Sequence, residues 1–505
     1  MSVNRAALPT TLYTAEQCRV LDRTAIERFG IPGFRLMQRA GQALWAVIGQ
    51  RWPGLGRITI VCGSGNNGGD GLVVAGLAWQ AGMEVQLVVV GERFAERLHG
   101  EALEAWQWLS GFGVKAETWH PGIEFDGELV VDALLGIGLS GQVRGEAANV
   151  IAQINRCAVP VLAVDIPSGL CADTGAVLGS AVMADLTLTF IALKQGLLTH
   201  EGVDCVGELL FDGLLLPEEV FEQVPVSAFR TDSEDLHELL PSRPRSAHKG
   251  RYGHLLVIGG ELGMGGAALM AAQAALRCGV GLVSLATREE HRLAAIVRAP
   301  EVMCHGVEEA DDLEPLLARA DVIVVGPGLG QQLWGRTLLQ AALDSGKPLL
   351  LDADALNLLA QDAVATSACE WVLTPHPGEA ARLLETDIAD IQANRFEQVR
   401  ELQSRYGGTL VLKGAGTLSC DGDVIHLCSD GNPGMATAGM GDVLSGVIGA
   451  LLAQRLAPVD AARIGVLVHA RAADLCARQL GARGLLATDL LSTLPLALNE
   501  REQHD

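Results

Sequence analysis

The sequence predicts an α/β protein built from two parallel-sheet domains, and three observations carry that expectation. Apolar, strand-like runs alternate with helical stretches, the pattern of a parallel sheet with helices on its faces. Most of these runs end in glycine or an acid, and in open parallel sheets ligands gather beyond the carboxyl ends of the strands. The pattern is interrupted once, between Pro217 and Lys249, where PEEVFEQVPVSAFRTDSEDLHELLPSRPRSAHK replaces apolar periodicity with charge, proline and small residues. The expected domains are therefore residues 1–225 and 230–505.

Composition agrees and excludes other classes. At roughly 100–200 residues per domain, 505 residues correspond to two to four domains with ample core. A hydrophobic fraction of 49% against 19% charged argues against disorder, and the 60 glycines follow no collagen-like period. Sixty acids against 37 basic residues give a net charge of −23, which disfavours nucleic acid or an anionic membrane as partner. Any anionic ligand must be held locally. The N-terminus, MSVNRAALPTTLYTAEQ, lacks the apolar core of a signal peptide, so a cytoplasmic protein is expected. The weakly charged stretch 175–193 contains Asp185 and is followed by Lys194, and reads as buried strand instead of a membrane span. Eleven cysteines without metal-like spacing fit reduced core thiols.

In the first half, Arg57–Cys62 reads as a strand, Leu72–Ala81 as a helix and Val85–Val90 as the next strand, a βαβ unit. Leu129–Asp132 and Val159–Asp165 are further apolar runs ending in an acid. Between the first strand and helix lies GSGNNGGDG at 63–71, whose amides can converge on an anion at a helix start. Asn67, Asp132 and Ser168 would meet at the same edge as hard oxygen ligands of little total charge, a set suited to a monovalent cation; Asp132 and Ser168 would serve equally as turn or helix caps. Asp165, beside that set, is the expected acid/base. Lys194 is one of five lysines, and either touches phosphate or is a solvated strand end.

These segments resemble the NAD(P)H-hydrate epimerase family: GSGNNGGDG at 63–71, VDALLGIGL at 131–139, AVDIPSG at 163–169, and the leading stretch from Tyr13 to Gly41. The resemblance implies a Rossmann-like three-layer domain with K+ held by Asn67, Asp132 and Ser168. It further implies that the hydrated nucleotide is bound by Asn66, Asn67, Gly68, Gly69 and Asp70, by the loop of Gly136, Ile137, Gly138, Leu139, Ser140, Gly141 and Gln142, and by Asp165. Ile137 departs from the threonine common in that loop, which removes a hydroxyl but not the backbone amides.

In the second half, strand-like runs end in Gly259-Gly260, GPGLG at 326–330, Asp352-Ala-Asp354, TPHPGE at 374–379 and KGAG at 413–416. NPGMATAGMGD at 432–442 precedes an apolar helical run, Val443–Leu456. Glycines before a helix expose its free amides as an anion hole, and Asp442 stands in the first turn. A hole for a moving phosphoryl group and a carboxylate that takes a hydroxyl proton are the parts phosphoryl transfer needs. As a purely structural residue, Asp442 would instead stabilise the helix dipole by about 0.3–1 kcal/mol. Glu379 is placed to reach a magnesium-bound water, and the 413–417 turn to cradle nucleotide phosphate. His376 stands between two prolines and has a turn role open to it; Asp352 and Asp354 either share a strand face or begin a helix.

This half resembles the ribokinase-like fold and, within it, the ADP-dependent NAD(P)H-hydrate dehydratases, through HKGRYGHLLVIGG at 248–260, GGAALMAAQAALRCGVGLV at 265–283, GPGLG, TPHPGE, KGAGT and NPGMATAGMGDVLSG at 432–446. His376 stands where sugar kinases of that fold usually carry asparagine. The resemblance implies that Ala267, Gly328, His376 and Asp442 contact the hydrated nucleotide, with Asp442 catalytic, and that Lys413, Gly414, Ala415, Gly416, Thr417 and Gly441 hold ADP, accompanied by Mg2+. Together the two resemblances imply repair of hydrated NADH and NADPH: epimerisation of R and S forms, and ADP-dependent dehydration of the S form to give AMP and phosphate, by a cytoplasmic homo-oligomer. The competing expectation is a vitamin or sugar kinase fused to a nucleotide-binding sensor.

Overall fold

A computed structural model describes residues 8–361 and 370–499; the ends of the expected domains, residues 1–7 and 500–505, lie outside them. The chain forms two compact units, Met1–Ala228 and Phe229–Asp505. Among the described residues, no helix is long and apolar enough to cross a membrane.

The first unit carries β1 (Thr11–Tyr13), β2 (Arg57–Cys62), β3 (Glu84–Val89), β4 (Ala116–Thr118), β5 (Val130–Ala133), β6 (Val161–Val164), β7 (Leu186–Phe190), β8 (Leu193–Lys194) and β9 (Glu208–Asp212). Its main sheet runs β4-β3-β2-β5-β6-β7-β9, every pair parallel, while β1 pairs with β8. The period-two alternation of the strands explains a three-layer packing. Ile58, Ile60, Val131 and Leu162 enter one core with the helices Gly33–Arg51, Asn66–Gln80 and Gly100–Ser110, while Val61, Val130 and Ala163 enter the other with Val150, Ile151 and Ile154.

The second unit holds β11 (His254–Ile258), β12 (Leu282–Thr287), β13 (Met303–Gly306), β14 (Val322–Val325), β15 (Leu349–Leu351), β16 (Trp371–Leu373), β17 (Thr409–Leu412), β18 (Thr417–Cys420) and β19 (Ile425–Cys428). The order β13-β12-β11-β14-β15-β16-β17 is parallel throughout, then β17-β18-β19 continues antiparallel. Phe229 and Arg230 of β10 (Ala228–Arg230) pair with β19. The turn at 413–416 is thus the tip of a hairpin.

In each unit the strand order reverses beside one strand. β2 has β3 on one side and β5 on the other; β11 has β12 and β14. Such a switch point opens a crevice at the carboxyl ends, and there lie Gly63 and the Asp132–Leu135 segment in one unit, Gly259 and Gly326–Gly330 in the other.

Element boundaries shift from those read in the sequence. The helix after β2 begins at Asn66, not Leu72, so most of the glycine-rich segment is already helical. Glycine's low helix propensity is overridden by packing, since Gly68, Gly69 and Gly71 press against Gly63, Met37 and Cys62. Of 175–193, only Leu186–Phe190 and Leu193 are strand. Asp354 begins the helix Asp354–Gln361.

The helices Gly265–Arg277 and Met440–Ala453 cross at Gly446, where a Cβ would collide with the carbonyl oxygen of Ala271. Backbone contacts this close cannot be relieved by rotating a side chain. Gly446→Ala is therefore expected to destabilise the second unit by about 1–3 kcal/mol, read as a lower denaturant midpoint for that unit's transition. An unchanged midpoint would show that the helices separate without strain.

Candidate active sites

At the first unit's switch point, Asp132 lies one residue from the end of β5 and is fully buried. Its Oδ1 accepts from the Ser168 hydroxyl at 2.6 Å and its Oδ2 from the Ser168 amide at 2.8 Å. The Leu135 amide donates to Ser168 Oγ at 2.7 Å, and Asn67 Nδ2 donates to the Leu135 carbonyl at 3.1 Å. Asn67, Asp132 and Ser168 are thereby brought together, as expected from the sequence. Asp132 also accepts from the Leu134 amide, so it does cap a turn. That does not account for everything: Asn67 Oδ1 is buried with no hydrogen-bond partner, and burial pushes the Asp132 carboxyl up to about 6 despite the bonds from Ser168.

Asp165 follows β6 with φ of 63°, a left-handed conformation that costs a non-glycine residue energy and clusters at functional sites. Its Oδ1 is ion-paired to Lys194 and accepts from the Phe190 amide at 3.0 Å and Thr189 Oγ1 at 3.1 Å. Lys194 is not a solvated strand end: it is 2% exposed and also donates to Thr189 Oγ1 and the Phe190 carbonyl. Burial pulls its pKa down, but Asp165 more than offsets this and the ammonium's pKa ends above normal. Further acids crowd the same ammonium. Burial pushes Asp70 well above the carboxylate range, and Asp165 and Asp22 push in the same direction. Asp22 is raised to about 6 by burial, with Asp165 and Glu101 opposing the relief Lys194 gives. In the loop Gly136–Gln142, Ile137 packs against the core and its carbonyl accepts from Arg19 at 3.0 Å.

The second unit repeats this scheme. Asp352, 1% exposed, pairs with Lys413 Nζ at 2.7 Å and accepts from Ser445 Oγ at 2.7 Å. The following residue, Ala353, is left-handed at φ 49°. The ammonium also lies 3.8 Å from Glu379, and a Cβ on Gly441 would stand 3.2 Å from it. Asp352 stays ionised because Lys413 outweighs the cost of burial, and Lys413 stays charged because Asp352 and Glu379 do the same for it. Gly328 lies against Met264 and Ala267, and the neighbouring Gly330 amide donates to Asp354 at 2.9 Å. His376 caps the helix Pro377–Leu384: its Nδ1 accepts from the Gly378 amide, while its own amide donates to Glu379 at 2.8 Å. It remains half exposed toward solvent.

Asp442 stands in the first turn of the helix Met440–Ala453. A carboxylate serving only the helix dipole would sit below its usual pKa. Instead burial, with Asp352 and then Asp354 and Glu379 adding repulsion that Lys413 does not cancel, pushes it up to about 7. That is the range of a general base working near neutrality. Glu379 is raised to about 6 for the same reasons.

Sequence reasoning missed the partners of these groups. Lys194 had one signal, the scarcity of lysine, but nothing pointed to Asp22 or Ser445. A separate cavity of about 510 Å3, lined among others by Asp321, Leu349, Trp371 and Arg455, opens at the amino-terminal ends of β14–β16 and holds none of the residues above.

Comparison with known proteins places both units. Residues 33–196 match the family described as YjeF-related protein N-terminus, and residues 255–496 match NAD(P)H-hydrate dehydratase. The chain is 48% identical over 491 residues to the bifunctional NAD(P)H-hydrate repair enzyme Nnr of Coxiella burnetii, covering 97% of this chain and all of the relative. To the enzyme of the same name from Escherichia coli K12 it is 45% identical over 505 residues, covering 99% and 96%. Among solved structures, a ribokinase-like superfamily protein of Enterococcus faecalis is 31% identical with a TM-score of 0.50, covering 53% of this chain and 95% of its own.

The raised carboxyl of Asp442 has a consequence for stability. The folded state keeps a proton there that the unfolded chain releases near pH 4, so between about pH 4 and 7 the native state binds more protons and stability falls as pH rises. Asparagine does not titrate. Asp442→Asn is thus expected to match the parent at pH 4 and to melt higher at pH 8, by at least the ~2–4 °C that 1 kcal/mol is worth at this size. Equal melting temperatures at both pH values would contradict the assignment of a proton-holding carboxyl.

Proposed function

Because this chain belongs to the family of bifunctional NAD(P)H-hydrate repair enzymes, with an epimerase unit followed by an ADP-dependent dehydratase unit, we propose that Asp165 and Asp442 are the groups that move protons in its two reactions. The observation that carries this reading is common to both units. Each has one buried ammonium matched by one carboxylate at the strand ends, with further carboxyls nearby that burial and repulsion leave ready to hold a proton.

Epimerisation inverts the ring carbon that bears the hydroxyl: a bond at that carbon breaks and re-forms on the opposite face, and a proton is taken from the substrate and returned to it as this happens. Asp165, paired with Lys194 and fixed by Thr189 and Phe190, takes and returns it. Asn66 to Asp70 and the Gly136–Gln142 loop flank it and bind the nucleotide. Potassium fits the neighbouring set: the orphaned Asn67 Oδ1, Asp132 and Ser168 offer oxygen and one charge. When bound, the ion supplies positive charge next to the substrate loop.

In the second unit, Asp442 takes the proton of the ring hydroxyl as that oxygen attacks the β-phosphorus of ADP, and AMP leaves. The carbon–oxygen bond then breaks with departure of phosphate, which leaves far more readily than hydroxide, and loss of the neighbouring ring proton restores the double bond. Lys413, held by Asp352, together with Gly414, Ala415, Gly416, Thr417 and Gly441, binds the adenine nucleotide; Ala267, Gly328 and His376 bind the hydrate. Magnesium accompanies the phosphates, and Glu379, buried and only partly matched by Lys413, is the carboxylate suited to its hydration shell. Free nucleotides in the cytoplasm are the partners, and with a net charge of −23 their phosphates must be held locally, by the lysine and the backbone amides of each site. Incubating mixed hydrate epimers with ADP and magnesium, and following recovery of reduced-cofactor absorbance, tests the reading as a whole.

Two outcomes are expected. Asp442→Asn lowers dehydration by roughly 10²–10⁴-fold and leaves the epimerisation rate unchanged; parental dehydration would remove Asp442 from the mechanism. Epimerisation rises with potassium in the parent and loses that dependence in Asp132→Ala. Equal rates in potassium-free and potassium-containing buffer would reduce Asn67, Asp132 and Ser168 to turn caps.

A further inference from the structure

Arg395, the first residue of the helix Arg395–Tyr406, is 1% exposed. Its guanidinium faces no acid: among the described residues no carboxylate lies within 4 Å of it. Its partners are the Gln392 side chain at 2.8 Å and the carbonyls of Leu412 at 3.1 Å, Lys413 at 3.3 Å and Gly416 at 3.4 Å, and its Nε is buried with no partner. Two of these acceptors, the Lys413 and Gly416 carbonyls, belong to the tip of the β17–β18 hairpin, and Leu412 is the last residue of β17. The fit between guanidinium and tip is tight, since Gly414 has φ of 142° and a Cβ there would stand 2.8 Å from one guanidinium nitrogen and 3.0 Å from the other. Only glycine meets both requirements.

A buried guanidinium without an anion is costly, and arginine cannot escape by losing its proton at physiological pH. Burial here draws the pKa only down to about 10, so the charge persists. Lys413, on the same tip, is already matched by Asp352. Arg395 is therefore the unmatched positive charge of this hairpin. Resting on the reading that residues 413–417 hold the nucleotide, we propose that Arg395 is a positioning residue for that turn and the fixed counter-charge, acting through it, for the nucleotide's phosphates. By drawing the carbonyls of Leu412, Lys413 and Gly416 inward it sets the course of the turn, and its charge favours ligands in proportion to their phosphate number. An arginine that only props the hairpin would support adenosine, AMP and ADP alike.

The full-length chain and its Arg395→Met, Arg395→Gln and Arg395→Lys variants are titrated calorimetrically with adenosine, AMP and ADP, with epimerase activity as the check that each preparation is intact. Arg395→Met and Arg395→Gln should weaken ADP by about tenfold or more, AMP by less, and adenosine by under about twofold. Arg395→Lys should keep the preference for added phosphate while raising the KM for ADP several-fold at near-parental kcat. Glutamine retains donors for the carbonyls, so it serves should the methionine variant fail to fold. Loss by an equal factor for all three ligands, or no loss, overturns the counter-charge. Lys413→Met tests the underlying reading separately: if it leaves ADP affinity unchanged, the turn is not the nucleotide site and the proposal falls with it. If it weakens ADP while the Arg395 variants do not, only the proposal fails.

Discussion

A buried ammonium paired with a carboxylate at the carboxyl end of a parallel sheet is the interaction on which each half of this protein depends. Asp165–Lys194 and Asp352–Lys413 use two of only five lysines in the chain. Taking either ion out of water alone costs several kcal/mol, and removing one partner strands the other. Each pair is consequently fixed by further bonds, from Thr189 and Phe190 in one unit and from Ser445 in the other. In each the backbone turns left-handed at the acid or just after it, at Asp165 and Ala353. That turn brings the carboxylate to the lysine instead of letting the chain run on.

The pairs also determine the chemistry of their surroundings. One ammonium matches one carboxylate, and the remaining acids are left in a low-dielectric setting with like charges for neighbours. Asp70 and Asp22 in the first unit, and Asp442 and Glu379 in the second, are all pushed upward as a result. A chain of net charge −23 thus produces, in two small regions, acids whose carboxyls are held above their ordinary range. The same unevenness appears with opposite sign at Arg395, where a cation has carbonyl dipoles but no acid.

Much of the site geometry follows from sheet order. The crevices open where β2 separates β3 from β5 and where β11 separates β12 from β14, and glycines at those strand ends let neighbouring backbones approach one another. Asp132 and Ser168, 36 residues apart, meet because β5 and β6 are adjacent and parallel. The cavity at the other end of the second sheet is lined by Asp321, Glu370 and Arg455 among apolar residues and shares none of these strand-end groups.

The sequence by itself determined the fold class, the glycine segments at both crevices and the residue types of the two sites, because these are local: strand periodicity, glycine clusters and acids at strand ends are legible within a dozen residues. The same holds for the resemblance that named Asn67, Asp132, Ser168, Asp165 and Asp442. Tertiary structure decided what each of them faces. Lys194 lies 29 residues from Asp165, and Ser445 93 from Asp352, and their meeting depends on strand order and helix packing, which no local pattern encodes. The glycine-rich segment is helical from Asn66 because packing against Met37 and Cys62 outweighs its intrinsic propensity. Whether a buried charge is matched, as in Lys413, or left unmatched, as in Arg395, is likewise set by neighbours distant in the chain, and the magnitude of a charge's effect depends on that match.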